Sequence, residues 1–335
     1  MSAPPPAGSE TTIEAMTEAQ PTMNASTPTS SNAPLVRAAR AHPLLAFFAL
    51  AYAGSWTAIA PVLLSRTGLG VFDYALPGAV GLALYLVVAP MAGPGLAAFA
   101  VTYSCEGRDG VRRLLGRCLQ WRVPPFWGVV ALFVVFGGSL ISAGFTLGLG
   151  PVRALADAWP MLVTVFVPTA ILLTVLGLFG EEPGWRGFAL PRLQARWGPV
   201  GASAVVGLLH SLWYLPAFFV QGALAPYSPP RLAAFVLTGI AASLAYTWIY
   251  NHGRGSVLLL TAMHAAGNAA SAFVGRFLVP PDRDLRGVGR AFHEQGWDNM
   301  LAFALLAGLL LVFTLGRLGL GEEDEGDVDG LGAGS

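Results

Sequence analysis

A chain of 335 residues that is 54% hydrophobic and only 11% charged has more apolar surface than a soluble domain of that length can bury, which points to a polytopic helical membrane protein. Formal charge sums to zero, so no basic excess argues for nucleic acid as a partner. Two cysteines, Cys105 and Cys118, are too few for a disulfide framework or a zinc ribbon and read as reduced bystanders.

Residues 1–35 are rich in Pro, Ser, Thr and Ala with no apolar period, and are expected to be a disordered tail. They lack the basic start and early apolar segment of a cleavable signal peptide. Residues 36–320 are expected to form a transmembrane domain, an all-α bundle of about eight spans near 44–64, 77–101, 126–148, 160–181, 199–220, 232–250, 256–279 and 299–319. Pro90, Gly93 and Pro94 should kink or divide the second. Residues 106–125 mix arginine with leucine and predict a short amphipathic helix on the inner membrane surface. Residues 321–335 begin with an acidic run and read as a solvated, disordered end.

Arginines set the expected orientation. Arg108, Arg112, Arg113, Arg117 and Arg122 lie between spans two and three, and Arg186, Arg192 and Arg196 between spans four and five. Both segments should face the cytosol, which places both termini there in a multi-pass cell-membrane protein. The loop at 280–298 is expected outside, with its arginines offset by acidic neighbours.

Against this apolar background a few polar residues need a reason. Glu181 and Glu182 end the fourth apolar run, where desolvation disfavours charge unless it is paired, wet or functional. Glu182 and Arg186 are four residues apart and share a helical face if the helix survives Pro183, whereas Glu181 points elsewhere. His210 and His264 lie well inside spans five and seven, and Asn268 follows His264 by four residues on the same face. Trp185, Trp213 and Tyr214 read as interface-belt aromatics or as cavity walls.

The order Glu-Glu-x-x-x-Arg at 181–186, a span-embedded His210, and His-x-x-x-Asn at 264–268 resembles the CPBP (Abi) family of intramembrane proteases, which includes the type II CAAX prenyl endopeptidases. The likeness covers roughly residues 85–275 and extends to Gly187-Phe188-Ala189-Leu190-Pro191-Arg192-Leu193. Two positions depart from the family pattern. Val206 stands where Phe is usual, and Tyr214 stands where many bacterial members carry another histidine. The resemblance implies an intramembrane endopeptidase acting on membrane-associated proteins or peptides. Glu181 and His210 would activate water, His264 and Asn268 would stabilise the oxyanion, and Glu182 with Arg186 would orient the segment.

That reading requires no cofactor. The same residues used differently, with Glu181, His210 and His264 as ligands, form an acceptable catalytic zinc set. There is no His-Glu-x-x-His, since the only His-Glu pair, His293-Glu294, continues with Gln295, Gly296 and Trp297. A proton- or ion-coupled transporter would also place carboxylates and histidines inside spans, but no repeat relates the first four spans to the last four. A non-catalytic membrane partner would use the polar residues only to lock helices together.

Overall fold

The computed structural model describes Met1, residues 34–279 and residues 293–319. Residues 2–33 of the expected N-terminal tail, the whole expected C-terminal tail and most of the loop at 280–298 lie outside the described residues. Among those residues the chain is helical without strands, and eight helical segments are long and apolar enough to cross a bilayer. They are α1 (Pro43–Leu63), α2 (Gly78–Cys118), α3 (Pro125–Leu147), α4 (Gly150–Gly177), α5 (Pro183–Phe219), α6 (Pro229–His252), α7 (Val257–Leu278) and α8 (Trp297–Thr314). A short helix, Pro34–Ala41, precedes α1.

Two of the eight, α2 with 41 residues and α5 with 37, are far longer than one crossing needs, and each is broken by a glycine. In α2, Gly107 takes φ 66° and ψ −155°. In α5, Gly198 takes φ 64° and ψ 177°. Only glycine adopts such angles without strain. The consequence for α5 follows from its contacts. Trp185 and His210 would stand about 37 Å apart on a straight helix at 1.5 Å per residue, yet their rings stack with centroids 4.8 Å apart. The segment is therefore a helical hairpin, descending to Gly198 and returning. The expected fifth span, near 199–220, is its second arm.

The kink anticipated at Pro90, Gly93 and Pro94 is present, with Gly93 at φ −94° and ψ −105°, and the helix is bent rather than divided. Past Gly107 the chain forms the amphipathic helix expected from 106–125. Gly110, Leu114 and Cys118 are buried and Arg108 and Arg112 are exposed. This helix is joined to the α5 hairpin by Glu106, which receives Arg113 at 2.7 Å and also pairs with Arg192. Arg117 donates to the Tyr250 hydroxyl at 2.8 Å and to the Gly187 carbonyl at 2.5 Å.

Helices meet through small residues, the usual means of close approach in a membrane. A Cβ on Gly54 would lie 2.2 Å from the Ala92 carbonyl oxygen, and one on Gly207 would lie 2.6 Å from the Ile240 Cα. The first contact sets α1 against the bent part of α2, and the second sets α5 against α6. Phe47, Trp185 and Phe188, all fully buried, fill the space between α1 and the descending arm of α5. Trp185 is thus a core residue and not a belt aromatic, because the hairpin turns it inward.

Candidate active site

The two glutamates occupy the turn between α4, which ends at Gly177, and the start of α5 at Pro183. Pro183 does not break the helix here. It opens one, since a first-turn proline has no hydrogen bond to lose. Backbone N–H groups of Gly184 and Trp185 donate to the Glu181 carbonyl at 3.0 Å each, so both carboxylates stand at the positive end of a new helix, where negative charge is favoured.

From there their environments diverge. Glu182 is 1% exposed and is held by Arg186, itself 4% exposed, at 3.0 Å. The same oxygen, Oε1, also meets His264 Nδ1 at 2.8 Å. A carboxylate paired to a guanidinium only accepts, so the imidazole Nδ1–H donates. Glu181 is 14% exposed and meets His210 Nε2 at 2.6 Å through Oε2. Arg186 Nη1 lies 3.0 Å from His210 Nδ1. Arginine has no acceptor, so Nδ1 must accept and Nε2–H must donate to Glu181. One guanidinium therefore sets both the ion pair and the histidine tautomer.

Two residues missing from the expected constellation join it. The Tyr214 hydroxyl lies 2.8 Å from each oxygen of Glu181. It stands one helical turn after His210, on the same face, and that spacing was the available signal. Tyr246 on α6 lies under Arg186, whose Cζ is 4.4 Å from the ring centroid. Its sequence context, an apolar run in span six, carried no signal. Arg186, His210, Tyr214, Thr238, Tyr246 and His264 line a cavity of about 150 Å³ between α5, α6 and α7.

Asn268 differs from its expected placement. It does lie one turn beyond His264 on α7, but its side chain is exposed, has no hydrogen-bond partner among the described residues, and does not line the cavity. A shared face gives two residues similar directions but separates them by about 6 Å along the axis, and the cavity reaches only the nearer one.

The donor set does not fit zinc as it stands. His210 offers its Nδ1 lone pair to a guanidinium and its Nε2–H to Glu181, and His264 is tied through Nδ1 to Glu182. Among the described residues no three His, Cys, Asp or Glu side chains are grouped to hold a metal ion. Both cysteines are free, Cys118 buried and Cys105 exposed.

Comparison with known proteins bears on the same stretch. Residues 159–270 match the family model described as type II CAAX prenyl endopeptidase Rce1-like. A curated relative, CAAX prenyl protease 2 of Methanococcus maripaludis, is 30% identical over 139 residues, covering 40% of this chain and 47% of the relative. The chain thus spans about half the length of the curated relative it matches. Glu181, Glu182, Arg186, His210, Tyr214, Tyr246 and His264 all fall within 159–270, so the segment that builds the site is the segment in which this membrane protein is similar to type II CAAX prenyl endopeptidases.

Proposed function

We propose that this protein is an intramembrane endopeptidase that hydrolyses peptide bonds of membrane-associated proteins or peptides, without a resident metal. One observation carries the reading. A partly exposed carboxylate, Glu181, is anchored by the Nε2–H of His210 and the hydroxyl of Tyr214, both of which line the cavity, while its neighbour Glu182 is sealed into structural pairs. A carboxylate oxygen has more than one acceptor site, so Glu181 can hold a water and take its proton as the water attacks a peptide carbonyl. His210 keeps Glu181 oriented. His264, fixed through Nδ1 by Glu182, presents Nε2 to the substrate carbonyl and donates there as the imidazolium. Collapse of the tetrahedral intermediate returns the proton from Glu181 to the leaving amine.

Depth supports access by a membrane-embedded substrate. His210 lies twelve residues past Gly198, about 18 Å above the turn, inside a hydrocarbon core of about 30 Å. The arginine-rich turns would lie on the cytosolic side, so the site would open toward lipid and cytosol. The relative's name refers to prenylated substrates. For this chain the proposal is the broader class of peptides and protein tails held at the membrane.

The test is cleavage of a peptide library by the purified full-length protein in liposomes, comparing wild type with Glu181→Gln, with elemental analysis and a chelator arm. Cleavage by the wild type, resistance to the chelator and complete loss in a folded Glu181→Gln are expected. Stoichiometric zinc lost together with either histidine would replace this mechanism with a metalloprotease. Proton or cation flux in liposomes without any cleavage would replace the protease reading altogether.

A further inference from the structure

Charge that develops on a peptide carbonyl oxygen needs preorganised donors in a dry or nearly dry site, and most donors near this cavity are already engaged. The Tyr214 hydroxyl is committed to Glu181, His210 to Glu181 and Arg186, and the Nδ1–H of His264 to Glu182. The Thr238 hydroxyl donates to the Ala234 carbonyl at 2.8 Å. Ser211 is wedged in the crossing of α5 and α6, where a Cβ on Gly239 would lie 1.9 Å from its Oγ. Asn268 is exposed away from the cavity.

Tyr246, like the buried Nε of Arg186, keeps a donor without a partner among the described residues. Its ring is only 9% exposed and is held in place by the Arg186 guanidinium on its face and by an edge contact with His264, centroids 6.4 Å apart at 89°. Its hydroxyl has no hydrogen-bond partner among the described residues and is not sealed from the cavity that Tyr246 lines. A phenol held in this way keeps its donor available to a group that enters the cavity.

We infer that the Tyr246 hydroxyl binds the carbonyl oxygen of the scissile peptide and stabilises the negative charge that forms on it. The inference rests on the hydrolytic reading above and goes beyond it by adding a carbonyl donor on α6. As the water oxygen bonds to the carbonyl carbon, its proton passes to Glu181 and the C=O π pair moves onto the oxygen facing Tyr246. When the C–N bond breaks, that pair re-forms the carbonyl and Glu181 gives its proton to the amine nitrogen.

Tyr246→Phe removes one oxygen and leaves the ring, its packing and its contact with Arg186. With the full-length protein in liposomes, kcat should fall by about 10²–10³-fold while KM and Tm are unchanged. Affinity for a peptide aldehyde, whose hydrate mimics the tetrahedral intermediate, should weaken by about the same factor. Wild-type kcat in Tyr246→Phe overturns the assignment, and so does a loss in kcat matched by a fall in Tm, which would mark a structural role. A wild type that cleaves no peptide sinks the hydrolytic reading separately. Aldehyde binding then decides Tyr246 by itself, since equal affinity in the two proteins removes it and weaker binding by the variant keeps it as the carbonyl donor.

Discussion

Adjacent glutamates with the same side chain carry different work because the backbone turns between them. Glu182 faces the core, where Arg186 neutralises it and the Nδ1–H of His264 donates a further bond to it. Glu181, 14% exposed beside the cavity-lining His210 and Tyr214, keeps accessible acceptor capacity. Replacing Glu182 with Gln leaves the Arg186 guanidinium buried without its counter-ion, which typically costs about 3 kcal/mol or more. Glu182→Gln should therefore lower yield and Tm in detergent, with activity falling as a consequence. Glu181→Gln should leave Tm near wild type and remove cleavage. A well-folded but inactive Glu182→Gln beside an active Glu181→Gln would show that the two roles are exchanged. The sequence already separated the pair through the spacing of Glu182 and Arg186. It could not reveal that Arg186 also reaches His210, because that contact spans 24 residues and exists only when the hairpin closes.

At the scale of elements, the hairpin of α5 is what brings the site together. Its descending arm supplies Arg186 and its ascending arm supplies His210 and Tyr214, and Gly198 lets the chain reverse. The ascending arm is then pressed against α6 at Gly207, where the neighbouring backbone leaves no room for a side chain. Gly207→Val would push α5 away from α6 at a point one turn below His210, because backbone atoms cannot move aside as a side chain can. The expected outcome is a lower Tm and at least a tenfold loss of cleavage in the liposome assay, with Gly207→Ala milder on both counts. Unchanged Tm and activity in Gly207→Val would mean that this crossing does not position the histidine. Span five was legible as an apolar run but its partner arm was not, since residues 186–196 read as an arginine-bearing loop in one dimension.

Across the molecule, arginines cluster where the Gly107 break and the Gly198 turn meet. Glu106 joins Arg113, near the Gly107 break, to Arg192, near the Gly198 turn, and Arg40 donates to the Ser104 carbonyl beside them. Because arginine is retained on the cytosolic side during insertion, reporter fusions at residue 118 and after residue 320 should both read cytosolic. A periplasmic signal at either would invert the protein and the side from which substrate arrives.

Composition and apolar run length were enough to establish an all-helical, eight-span membrane protein, because a span is a local property of about 20 consecutive residues. The order and spacing of Glu181, Glu182, Arg186, His210 and His264 were enough to mark a candidate site, since buried polar groups are rare against such a background. Tertiary structure alone decided which of those groups meet. It brought Tyr214 onto Glu181, set Tyr246 under Arg186 and left Asn268 outside the cavity. The physical reason is that helical periodicity gives only the direction of a side chain from its own axis. Depth and partner are set by where the axes cross, and here those crossings follow from two glycine breaks and from small residues whose neighbours lie far away in the chain.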